Sequence, residues 1–234
     1  MTCHPPKSSA AFSLVEVLIV IGIIATLAVL LVPSLDSMRN RAQQARCASN
    51  LRQIGSALLQ YAGENNGALP PGRTWDREIS PYFGIADWNV KGAHTAVLTC
   101  PMDKRTGPLA SEKYPRSYTS SQIKPADPTQ GVFGDDVNFT SRRLSAIPRP
   151  GSTIVIFEYF TDATGKPIGN EQFMQAYGYS AGYQSTASLP RLANGRYYHG
   201  SAFNYLFADG HVEAMPPAVV FTPPNNSWRA TTTP

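Results

Sequence analysis

Four side chains in the C-terminal half are of the kinds that hold metals or move protons: Glu158, His199, Asp209 and His211. Each falls near the end of a segment that reads as a strand, so a sheet can bring them together. Imidazole nitrogens and carboxylate oxygens suit a divalent cation, and Glu158, His199 and Asp209 are the candidate ligands for a structural one. The simpler reading needs no ion: His199 bonds to a hairpin backbone and Asp209 serves its turn. On that reading neither metal nor cofactor is expected. The sequence has no His-Glu-x-x-His, no phosphate loop and no Cys-x-x-Cys. No catalytic residue is assigned, and the chain is read as a non-enzyme.

A fifth chemical group stands alone. Glu16 precedes sixteen uncharged residues, Val17 to Val32, and Pro33 closes that run. Sixteen helical residues span about 24 Å, short of a ~30 Å hydrocarbon core, whereas counting from Phe12 gives about 31 Å. The longer count places Glu16 inside the apolar run, at a cost of roughly 2.5–3.5 kcal/mol on insertion scales. A peptidase cut between Ala11 and Phe12 supplies a reason. The freed amine lies one helical turn from Glu16 and neutralises it, in the same chain or a neighbouring copy. A conventional secretory signal would have a shorter apolar core and small residues beyond it, and Val32-Pro33-Ser34 is a poor site. An uncleaved signal anchor leaves the acid unexplained.

The polar leader with Lys7, the small residue Ala11, then Phe12, Glu16 and Pro33 together resemble the type IV prepilin family, which includes the pseudopilins of type II secretion. In that family Glu is the fifth mature residue and Pro the twenty-second, as Glu16 and Pro33 would be here. Ala11 replaces the usual Gly before the cut. The resemblance implies leader cleavage and methylation at Ala11 and Phe12, and assembly through Glu16 and Pro33. It also implies a prepilin peptidase, an inner-membrane assembly platform, other pilin or pseudopilin subunits and membrane lipid as partners. Two further stretches resemble a subgroup of large bacterial prepilin-like proteins. One is Cys47-Ala48-Ser49-Asn50-Leu51-Arg52-Gln53-Ile54-Gly55, followed by Tyr61 and Asn66-Gly67-Ala68-Leu69-Pro70. The other is His199 separated by nine residues from Asp209-Gly210, the processing-associated motif at the C-terminal end of that subgroup.

Of the three cysteines, Cys3 would leave with the leader, and Cys47 and Cys100 remain. An even pair outside the membrane permits a disulfide, and two buried free thiols are the alternative. A loop of about 54 residues would give roughly 4 kcal/mol in the chain-entropy model. Orientation is contested. Arg39, Arg41, Arg46 and Arg52 follow the apolar run, with no acid from Ser37 to Gly63, and the positive-inside rule would hold them in the cytoplasm. The resemblance instead implies a single-pass bacterial inner-membrane protein with a cytoplasmic leader and a periplasmic or extracellular domain. The net charge of +4 is too weak to argue for nucleic acid, and none is expected as a partner.

The positioning elements follow from periodicity. Leu35, Met38, Ala42, Ala45, Ala48, Leu51, Ile54, Leu58 and Tyr61 recur at intervals of three and four and extend the helix to Asn65, where Asn65-Asn66-Gly67 stops it. Asp76–Phe83 reads as a short helix, Ala96–Thr99 as a short strand, and 103–130 as a surface loop. Ser152–Glu158 is a buried strand. Residues 161–195 form a Gly-rich loop with Tyr177, Tyr179 and Tyr183, the interval best suited to a variable ligand surface. Asp209-Gly210 between two apolar strands is a hairpin signal for a type I′ turn, with positive φ at both central residues.

Charged residues make up only 15% of the chain, against 20 Pro and 18 Gly, which suits a loop-rich extracytoplasmic β domain. The expected organisation is a leader over 1–11, a transmembrane and assembly helix over 12–33, its amphipathic extension over 34–66, a β-rich domain over 67–215 and a Pro/Thr-rich tail over 216–234. The expected fold is α+β and pilin-like, a long N-terminal helix packed on an antiparallel sheet. The expected function is a structural subunit of a type IV pilus or type II secretion pseudopilus. The alternative is a membrane-anchored binding module for polysaccharide or protein that uses the same export route.

Overall fold

The structure is a computed structural model in which residues 13–85, 95–103, 117–123, 131–134, 140–158, 175–177, 199 and 202–216 are described. Of residues 29–36, 95, 96 and 175–177 the backbone alone is described. Helix α1 spans Leu14–Glu64 and runs through Pro33 without a break. The chain divides into two compact units, Met1–Ala42 and Gln43–Pro234, so α1 contributes to both.

In the first unit the described side chains of α1 are exposed on every side. Leu14, Val15, Leu18, Ile19, Ile21, Ile24 and Leu27 are each more than half exposed. A helix that is apolar all round is stable only when something covers it. Among the described residues no helix is long and apolar enough to cross a membrane. The described side chains of the apolar run end at Ala28, short of Val32.

In the second unit α1 is amphipathic. Cys47, Asn50, Leu51, Ile54, Ala57, Leu58 and Ala62 are buried, while Arg46, Arg52, Gln53 and Gln60 face solvent. The buried stripe passes through Cys47, one residue off the expected line. Ala42 and Ala45 are exposed, because the helix meets the core only from Cys47 onward. The helix ends as its composition dictates. Asn66 and Gly67 take positive φ of 54° and 80°, and Gly67 N–H reaches back to the Ala62 carbonyl at 2.7 Å.

Among the described residues, five strands form one sheet in the order β3-β1-β2-β4-β5: β1 Tyr118–Gln122, β2 Ile154–Glu158, β3 Gln175–Tyr177, β4 Phe203–Phe207 and β5 Val212–Met215. β1, β2, β4 and β5 each run antiparallel to their neighbours in that series, and β3 adds to the edge of β1 in parallel. The fold is α+β, with that parallel edge strand as a departure from a purely antiparallel sheet. Residues opposite one another share a face. The register therefore puts Tyr118 with Glu158, and Ser120 with Ile156 and Leu206, on one face. That face meets α1: a Cβ on Gly55 would lie 2.9 Å from Leu206 Cδ1. The opposite face carries Phe157 against Tyr205, ring centroids 6.3 Å apart, with Phe203 and Phe207 beside them in alternation, all buried.

Three local expectations are corrected. Residues 95–98 form a helical turn, α3 Thr95–Leu98, and not a strand. A four-residue apolar run carries no period of its own, and burial of Leu98 satisfies either form. The 103–130 interval holds β1 in the interior of the sheet, with every residue of Tyr-Thr-Ser-Ser-Gln buried. The β4–β5 turn is not type I′, since Gly210 has φ +93° and Asp209 is not among the positive-φ residues. Gly210 N–H bonds to the Phe207 carbonyl at 2.9 Å and Phe207 N–H to the His211 carbonyl at 3.0 Å, so the left-handed residue follows the turn as a bulge. The expected 76–83 helix is present as α2 Trp75–Glu78 and a 3₁₀ turn Ser80–Phe83.

Gly131 closes one approach that only glycine allows. It has φ +77°, and a Cβ there would fall 1.9 Å from the Gln122 carbonyl oxygen at the end of β1. Gly131→Ala is expected to cost about 2 kcal/mol through the strained backbone alone. A urea unfolding midpoint unchanged by the substitution would contradict this packing.

Candidate functional site

The sheet face toward α1 carries most of its polar chemistry at one end. Glu158, the last residue of β2, is fully buried. Its Oε2 accepts Asn204 N–H at 2.7 Å, and its Oε1 accepts Asn204 Nδ2 at 2.9 Å. His199 Nε2 lies 2.7 Å from the same Oε1, with both side chains fully buried. A carboxylate only accepts, so Nε2 carries the proton in this pair. The other ring nitrogen, Nδ1, lies 3.1 Å from Met102 Sδ. Short charge-assisted bonds of this kind make it acceptable to bury a carboxylate.

The cysteines lie beside this pair. Cys47 on α1 and Cys100, just after α3, form a disulfide with Cα atoms 5.1 Å apart. Cys100 Sγ is 3.6 Å from His199 Nε2. The ligand atoms of Cys47, Cys100, Glu158 and His199 all lie within 4.8 Å of one another. Hydrogen bonds fix the surroundings: Asn50 Nδ2 donates to the Thr99 carbonyl at 3.2 Å, and Cys100 N–H to Ser117 Oγ at 2.9 Å. Ser117 Oγ in turn donates to Asp103 Oδ2 at 2.6 Å. The Tyr118 hydroxyl lies 3.4 Å from the Cys47 carbonyl oxygen and donates to it. Burial, reinforced by the Glu158 charge, pushes the Tyr118 phenol well above its ordinary range, so it stays a donor.

Asp209 is not in this cluster. Ile154 pairs with Phe207, so Asp209 lies past the start of β2 while Glu158 ends it, about 13 Å away along four strand steps. Asp209 Oδ1 accepts His211 N–H at 3.1 Å and meets His211 Nδ1 at 2.6 Å, and the His211 ring stacks on Phe207 at 4.2 Å. Partial burial tends to raise the Asp209 carboxyl, but the His211 bonds outweigh it and hold it below its usual value. Of the candidate set Glu158, His199 and Asp209, the structure brings the first two together: His199 meets Glu158, Cys100 and Met102, while Asp209 and His211 complete the turn at the other end of β2. Sequence reasoning missed that Cys47 and Cys100 are the companions of His199. The signal available was that cysteine and histidine are uncommon in this chain, with three and four copies.

At the other end of the chain, Glu16 stands in the first turn of α1. Its Oε2 accepts Ser13 N–H at 2.9 Å, the return half of a capping box, which satisfies one otherwise orphaned donor. Ala11 and Phe12 lie outside the described residues, as do the leader, the tail beyond 216 and all of the 161–195 loop except Gln175–Tyr177. Pro33 is described in backbone only.

No curated protein and no solved structure matches the chain. Residues 6–32 match the family described as the prokaryotic N-terminal methylation motif, a span that holds Ala11, Phe12 and Glu16. That motif points to a prepilin-type precursor, a structural subunit more than an enzyme.

Proposed function

We propose that the chain is a prepilin-like structural subunit of a type IV pilus or type II secretion pseudopilus, matured by prepilin peptidase between Ala11 and Phe12. The observation that carries this reading is the methylation motif over 6–32, which leads into a helix whose apolar side chains are exposed on every side. Lipid covers such a helix before assembly, and the same segments of neighbouring copies cover it afterwards. The protein is anchored in the inner membrane by this helix, with its β domain on the periplasmic side. The spacing of His199 and Asp209-Gly210 supports membership of the prepilin-like subgroup that ends in that motif.

In this reading Glu16 has two successive partners. In the precursor its carboxylate accepts the Ser13 N–H. After cleavage the Phe12 α-amine, one residue before Ser13, offers a full positive charge in an apolar setting, where an ion pair is far stronger than in water. A neighbouring copy's amine completes the pair in the assembled state. Glu16→Ala is therefore expected to insert and to be cleaved, yet to fail in assembly. Electron microscopy of sheared surface fractions, with immunoblots for the shortened chain, reads both steps. Normal filaments from a cleaved Glu16→Ala chain would overturn the pairing.

A further inference from the structure

We propose that when the Cys47–Cys100 bond is reduced, the two cysteine sulfurs, His199 Nε2 and Glu158 Oε1 bind one zinc ion, so that the same point of the fold is closed either by a disulfide or by a metal. Two thiolates, an imidazole and a carboxylate are a borderline-soft set suited to tetrahedral zinc. Zinc bond lengths of 2.0–2.3 Å put tetrahedral ligands roughly 3.3–3.8 Å apart. The Cys100 Sγ to His199 Nε2 separation of 3.6 Å already falls in that interval, and the whole set lies within 4.8 Å. Glu158 Oε1 and His199 Nε2, at 2.7 Å, need to part by about 0.6 Å, and the sulfurs separate once their bond is broken.

The surroundings are those of a supported metal site. Asn204 donates to both carboxylate oxygens from its backbone N–H and its Nδ2, which orients Glu158. Met102 Sδ stands 3.1 Å from Nδ1 and accepts its proton once Nε2 becomes a ligand. Glu158 and Cys47 are wholly buried, Cys100 nearly so, and the His199 side chain is fully covered, so water competes poorly.

The chemistry balances. A dithiol or phosphine reductant supplies two electrons, the S–S bond breaks, and two thiols form while the reductant is oxidised. Zinc then displaces two thiol protons to solvent, and the neutral imidazole shifts its proton from Nε2 to Nδ1 without net loss. The bound site carries one net negative charge, which the Asn204 donors face. The consequence is a cross-link between α1 and the segment after α3 that does not depend on prior oxidation.

The test uses the full chain purified in detergent, reduced with a phosphine under nitrogen, with cobalt(II) as the probe. One equivalent of cobalt is expected to produce the visible bands of a tetrahedral site and a near-ultraviolet thiolate charge-transfer band, both abolished by one equivalent of zinc. Zinc is expected to raise the melting temperature of the reduced chain and to leave the oxidised chain unchanged. His199→Gln and Glu158→Gln, shown by circular dichroism to be folded when oxidised, should each bind cobalt more than about 100-fold more weakly once reduced. No thiolate–cobalt band in the reduced wild-type chain would overturn the proposal. So would a band of equal affinity in both variants, since it would reflect two thiols binding metal without the rest of the set.

Discussion

Replacing both cysteines, Cys47→Ala with Cys100→Ala, is expected to lower stability by about 4 kcal/mol and the melting temperature by about 8–16 °C. The bond spans a sequence separation of 53, and the chain-entropy relation gives that magnitude for a loop of this length. It also ties α1 to the segment carrying Thr99, Cys100 and Ser117. Neither sulfur can be replaced from solvent, as Cys47 is 0% and Cys100 1% exposed, and two small cavities add to the loss. The double substitution avoids leaving a lone reactive thiol. Urea unfolding of the oxidised wild-type and variant chains, both with chelator present, isolates the covalent contribution. A difference under about 1 kcal/mol would mean that the linkage adds nothing the core does not already fix.

The second large effect is expected at Glu158. Glu158→Ala should destabilise the oxidised protein by about 3–5 kcal/mol, the range for breaking one side of a buried charged network. Three donors lose their acceptor together: the Asn204 backbone N–H, Asn204 Nδ2 and His199 Nε2. Each buried donor left unpaired costs its full desolvation penalty. Glu158→Gln should fall between, because an amide keeps the shape but replaces one acceptor oxygen with a donor that faces another donor. Equal stability for the Gln and wild-type chains would show that the carboxylate is not the hub of the network. Denaturant midpoints at neutral pH measure all three.

The parts of this fold that could be read from sequence are those where one local rule decides. The uncharged run after Glu16, the stop at Asn66-Gly67 and the β2 strand Ile154–Glu158 each rest on composition within a few residues. The strand β1 could not be read this way. Tyr118–Gln122 is polar, flanked by Pro- and Ser-rich sequence, and is a strand because Ile154–Glu158 pairs with it and because Gly72 and Gly131 leave room beside it. The candidate site was half legible for a related reason. Glu158 and His199 are 41 positions apart and Cys47 and Cys100 are 53 apart, and no periodicity links the two pairs. They meet because α1 lies on the β2–β4 face, a fact of tertiary packing. Nearness to strand ends is all that joins Asp209 to Glu158 and His199 in the sequence, and Asp209 sits in the hairpin turn, at the opposite end of β4 from His199.

The most direct test of the proposed function is intact mass spectrometry and N-terminal sequencing of the protein recovered from cell membranes. A prepilin-type subunit is expected to yield a mature polypeptide that begins at Phe12, heavier by one methyl group on its α-nitrogen, with Met1–Ala11 missing. A chain that still begins at Met1 or Thr2 would contradict that maturation, since Glu16 would then have no α-amine to pair with.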